Sequence, residues 1–194
     1  FAPVQLHGEH ARLVAGGILE TIDPPGEDAP LLVDPRRGSE SLERRARSWL
    51  HVNCAGCHRF GAGGGVNLRL NLDQPLAECR VLDEKPTRGD LGIVGARIIA
   101  SAEPARSVLY FRIMTEGMAR MPHVGSRLVD AEGTRLVAEW IRSLPRSSES
   151  TADVRAGRDL LAPLEPALRR SGVPDPRDPV WARMLESVNG ALGL

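Results

Sequence analysis

A chain of 194 residues that is 42% apolar can enclose one core with extensions, or two very small domains. Its formal net charge of zero argues against a nucleic-acid or membrane-surface binder, and no apolar run approaches the about 18 residues of a transmembrane helix. Three cysteines are too few, and odd in number, for a disulfide scaffold.

Residues 1–38 carry no clear period and are broken by turns at Asp23-Pro24-Pro25-Gly26 and Asp34-Pro35-Arg36-Arg37-Gly38. They are expected to form an extended arm. The opening Phe1-Ala2-Pro3 shows neither a Met nor a basic leader, so the chain reads as a processed one or as the ordered part of a longer one. His7 and His10 stand three apart in this arm; an accidental pair outweighs a metal site there.

A helix is expected from Ser39 or Ser41, either of which can cap it. Leu42, Ala46, Trp49 and Leu50 recur at helical spacing, and the helix runs into Cys54. The glycine-rich stretch 61–65 reads as a flexible loop. Val66, Leu68, Leu70 and Leu72 then alternate with polar residues, which predicts a short strand or extended segment. Residues 73–100 read as an insertion, with turns at Lys85-Pro86 and Arg88-Gly89.

Pro104 suits the first position of a second helix, which carries Val108, Leu109, Phe111 and Ile113 and stops at Gly117. A third follows Asp130 with Leu136, Val137, Trp140, Ile141 and Leu144, and Pro145 ends it. Residues 146–152 are a polar linker. Leu160, Leu161, Leu164 and Leu168 form a helical patch, and a last helix is expected over about 181–192. The organisation is therefore an arm over 1–38, a mainly α domain over 39–146, and a helical C-terminal extension over 147–194.

Cys54-Ala55-Gly56-Cys57-His58 is the C-x-x-C-H pattern of covalent haem attachment. Two thiols one helical turn apart can each form a thioether to one haem vinyl group, and the next residue turns its imidazole to the iron. Ala55 and Gly56 are small enough to let the porphyrin edge lie on the backbone. A zinc site would need a second pair of ligands, for which Cys79 and the scattered histidines make a poor set. A thioredoxin-like dithiol would need a βαβ setting that is missing here. A large planar group would also offset the low aromatic content of 4%.

The opposite ligand is expected downstream. Of Met114, Met118, Met121 and Met184, Met121 is preferred, because Pro122 biases it to an extended backbone and stiffens the segment. Met118 is its rival, and His123 or an open position are the remaining readings. Met114 reads as core, as isolated Met residues usually do. His51 reads as a helix-surface or packing residue, and Cys79 as an idle or buried thiol.

The run 49–59, Gly89-Asp90-Leu91-Gly92, the run 104–110, and Arg120-Met121-Pro122-His123-Val124-Gly125-Ser126 with Val129-Asp130 carry a resemblance. Over about 39–145 the chain resembles a class I c-type cytochrome domain. It is similar to the cytochrome domains at the C-terminus of large secreted bacterial proteins, some of which carry sugar-dehydrogenase-like β-propellers. In that family the strap commonly reads Met-Pro-Pro-Leu-Gly-Ser. Here His123 and Val124 stand in place of the second Pro and the Leu, which loosens the strap and sets an ionisable group beside the haem.

The resemblance implies a class I fold with a short β or extended insertion, His58 and Met121 as axial ligands, and a first helix crossing the last, with Trp49 or Leu50 near Trp140. It implies one haem c, a place outside the cytoplasm (periplasmic, or on that face of a membrane complex), and an electron-transfer role rather than catalysis. The arm and tail suggest a subunit of a larger redox complex. Lys85 is the sole lysine, so docking on redox partners through a lysine ring is ruled out. The numerous arginines suit fixed carboxylate contacts, haem propionates among them. An enzyme or gas sensor with an open distal position, with His123 or Arg120 above it, and a docking module in which haem holds the fold are the competing readings.

Overall fold

The computed structural model describes residues 12–18, 32–164 and 166. The expected helix over 181–192, Met184, Leu168, His7 and His10 lie outside them, as does most of the arm.

Among the described residues the chain is mainly helical and forms no strand. Four α-helices carry the structure: α1 (Leu42–Cys54), α2 (Val108–Met114), α3 (Ala131–Ser143) and α4 (Ala152–Leu161). A short helical turn also covers residues 12–15. No helix among the described residues is long and apolar enough to cross a membrane.

Each longer helix starts where side-chain chemistry satisfies its first free amides. The Ser41 hydroxyl accepts from the Arg44 amide at 3.2 Å, the Asp130 carboxylate from Gly133 at 2.9 Å, and the Thr151 hydroxyl from Val154 at 3.3 Å. Of the two caps offered by the sequence before α1, Ser41 is the one used. α3 ends at Ser143, two residues before Pro145, where a proline would remove an amide and crowd the preceding turn.

α1 and α2 both pack against α3. Ala46, Trp49 and Leu50 of α1 meet Leu136, Val137, Trp140 and Ile141 of α3 in one buried cluster, which Val108, Tyr110, Phe111 and Ile113 of α2 complete. Where α1 reaches the start of α3, the Trp49 indole donates to the Asp130 carboxylate at 2.8 Å. A Cβ on Gly133 would run into that indole, so the glycine sets how closely the two helices approach.

The second helix departs from its expected bounds, and two other segments take a form that their pattern left open. Val66 to Leu72, expected as a short strand or extended segment, form no strand: their amides pair singly, Leu70 with the His58 carbonyl at 2.8 Å and Arg69 with the Cys79 carbonyl at 2.9 Å. No neighbouring strand lies alongside to continue a ladder, so alternation marks one buried side only, with Leu70 inward. The second helix is shorter than its start and stop signals imply. Pro104–Arg106 is a separate 3-10 turn, the α-helix ends at Met114, and Gly117 opens another 3-10 turn with a φ of 75°. Residues 73–100, read as an insertion with turns, contribute to the core. Cys79, Val81, Leu91, Ile93, Ala96 and Ile99 are all buried in the central cluster.

α4 packs on the Pro104–Arg106 turn and turns Val154, Gly157 and Leu161 inward. The buried Glu103 carboxylate gathers three arginines there, each at 2.6 Å: Arg106, Arg146 and Arg158. Arg97, almost fully buried, pairs with Glu149 at 2.5 Å. The linker before α4 is therefore held by ion pairs on both sides of the turn.

Candidate functional site

The last turn of α1 delivers Cys54, and the chain leaves the helix tightly coiled. The Ala55 amide donates to His51, and the Cys57 and His58 amides both donate to the Cys54 carbonyl at 3.1 and 2.9 Å. Cys54 is buried, Cys57 exposed and His58 half-buried. The His58 carbonyl accepts from Leu70 and the Cys57 carbonyl from Gly64 at 3.0 Å, so the extended segment and the glycine-rich loop close over the motif. Gly64 is required by this approach: a Cβ there would press on the Cys57 carbonyl and lie 3.1 Å from His58 Nδ1.

Cys54, Cys57 and His58 form one side of a cavity of about 860 Å³, within the range typical of cofactor pockets. Leu68, Leu70, Ile98, Val108, Leu109 and Ile113 supply its apolar wall. Met121, Pro122, His123 and Val124 line it as well. Of the three described methionines, Met121 lines the cavity, while Met114 is 4% exposed in the core and Met118 is 77% exposed. Arg80, Lys85, Arg88 and Arg112 also line the cavity, against a single carboxylate, Glu84. The wall is thus cationic in a chain of zero net charge.

The segment bearing Met121 is tied to α2. The Met121 amide donates to the Arg112 carbonyl at 2.8 Å, and Arg112 Nη1 returns to the Ala119 carbonyl at 3.2 Å. The Met121–Pro122 peptide bond is cis. Arg112 is a residue that pattern reading passed over. It stands on α2 beside Ile113, and the fold brings it into the cavity lining.

Burial, with the Cys57 sulfur adding to it, pushes the Cys54 thiol up to about 12. Such a thiol stays protonated and is a poor thiolate nucleophile or zinc ligand. His58 is held below the ordinary histidine range, by burial first and by the Arg112 charge second, which favours the neutral imidazole. Its Nδ1 is buried without a hydrogen-bond partner.

Cys79 and His51 do not join the cavity lining. The Cys79 thiol lies 3.4 Å from the Pro75 carbonyl, and His51 Nδ1 accepts from the Leu72 amide at 2.9 Å. His51 thus fastens the 70–79 segment to α1, while the Cys79 contact lies within that segment. Among the described residues no three His, Cys, Asp or Glu side chains converge as a metal-holding group. No protein-family model matches this chain, and neither a curated protein nor a solved structure matches it.

Proposed function

We propose that this chain is a class I c-type cytochrome domain that transfers electrons through one covalently bound haem c. The observation that carries the reading is the cavity lining itself: Cys54, Cys57 and His58, adjacent in sequence, share one apolar cavity with Met121, more than sixty residues away. Cofactor size, apolar walls and an excess of cations able to meet two propionate carboxylates all fit a haem.

Cys54 and Cys57 would anchor the group through thioethers, and the exposure of Cys57 puts that edge at the surface. His58, kept neutral by burial, would offer its imidazole nitrogen to the iron. Met121, in the same lining, would offer its thioether as a second ligand; a thioether paired with a histidine favours the reduced iron and raises the potential. Haem, when bound, would supply a one-electron couple. Arg112, Arg80 and Arg88, all in the lining, would be the groups to meet the propionate carboxylates.

In this reading the domain works on the extracytoplasmic side, with redox proteins as partners, as a subunit of a larger redox complex. His123, also in the lining, supports one competing reading, an open iron site that binds a small molecule. Intact-mass measurement of the denatured holoprotein tests the central claim. One haem should remain attached, and Cys54→Ser with Cys57→Ser should abolish it; extraction of all haem into acidified acetone refutes the proposal.

A further inference from the structure

Arg120, immediately before Met121, is 7% exposed. Its Nη1 donates to the Thr115 carbonyl at 3.1 Å. Its Nη2 donates to the Ser126 hydroxyl at 2.6 Å and to the Leu128 carbonyl. Thr115 is the C-cap that follows α2, and Leu128 lies two residues before the Asp130 cap of α3. One guanidinium therefore ties together the two ends of the segment that carries Met121 between those helices.

The contacts are unusual in kind. Withdrawing a cation from water costs several kcal/mol unless strong partners offset it, and these partners are neutral oxygens, with Nε buried and unpartnered. General stability is more cheaply obtained from apolar packing, so the group's value lies in its shape. The planar fork can serve two directions at once, which a lysine ammonium cannot do in the same geometry. The main chain beside it is held independently, by the Met121 amide on Arg112.

We propose that Arg120 is a positioning residue: it clamps the 115–128 segment so that the Met121 side chain is presented to the cavity at the distance a ligand requires. This rests on the reading of Met121 as the iron's second axial ligand. Side-chain placement on a ligand must be held to within about half an ångström, and a segment anchored at one end only would let Met121 swing away.

The test uses the holoprotein and the variants Arg120→Gln, Arg120→Lys and Ser126→Ala. The parent should show the Met–iron(III) charge-transfer band and leave carbon monoxide unbound in the reduced state. Arg120→Gln should retain covalent haem and helical circular dichroism, yet lose the band, bind carbon monoxide and show a lower reduction potential. Arg120→Lys should not restore the parent values. Should Arg120→Gln fail to fold, Ser126→Ala removes one acceptor alone and should weaken the band. A parent with the band and folded variants that keep both band and potential overturn the role of Arg120 and leave Met121 as ligand. A parent without the band overturns the Met121 reading, and the clamp with it.

Discussion

Met118 and Met121 stand three residues apart, yet one is exposed and the other lines the cavity. The turn at Gly117–Ala119 throws Met118 outward, and the pairing of the Met121 amide with Arg112 draws Met121 back onto α2. If Met121 is the ligand, Met121→Ala should open the iron: the potential falls and carbon monoxide binds the reduced protein. Met118→Ala should change neither, which redox titration and carbon monoxide difference spectra will read directly. A second single-residue prediction concerns the helix approach. Gly133→Ala places a methyl against the Trp49 indole and the Asp130 carboxylate that holds it. It should cost about 1–3 kcal/mol, the usual scale of overpacking, measured by denaturant unfolding. The C-x-x-C-H pattern was legible from residue identity alone. The choice between Met118 and Met121 was favoured by Pro122, but the outward turn at Met118 had no sequence signal beyond Gly117.

Among the elements, α1 and α3 were the most legible, because their caps and apolar spacing agree with their tertiary burial. Residues 73–100 were the least. Their inward side chains are held by turns and single hydrogen bonds, including Asp83 to Ile99 and Ile98 to Glu84 at 2.8 Å, and such a path leaves neither a period of 3.6 nor of 2. The linker before α4 yields a pH prediction. The hydrogen bond from Arg97 holds the Glu149 carboxyl below the usual carboxylate range. Its native pKa is therefore lower than its unfolded one, so the pair stabilises the fold above the ordinary carboxylate range and loses that contribution as pH falls through the depressed value. Glu149→Gln should lower the melting temperature at neutral pH by a small amount, since the carboxylate is one-third exposed. The gap between variant and parent should close on acidification, as melting curves taken over a pH series will show.

For the molecule as a whole, α4 belongs with the core it packs against. Val154 and Leu161 are buried, worth about 1.5–3 kcal/mol each before the cost of ordering the helix. Glu103, with two of its three arginines at Arg146 and Arg158, would be left with Arg106 alone. Removal of residues 146–194 should therefore lower stability by about 2–4 kcal/mol while leaving the cavity walls in place. Unfolding followed by tryptophan fluorescence, alongside the mass of attached haem, separates those two effects: a truncated chain as stable as the parent would show that α4 adds nothing.

The sequence by itself determined the helical class, the capped starts of α1 and α3, and the pattern of two thiols and an imidazole on one turn. These depend on neighbours within a few residues, and local chemistry is written in local order. Tertiary structure alone decided which apolar residues of the irregular 73–100 stretch are buried, that Arg112 faces the cavity, that Arg120 spans the two ends of the Met121 segment, and that Glu103 collects arginines from three separate places. Those outcomes depend on residues far apart in the chain meeting in space, and no periodicity records such a meeting until the core has closed around it.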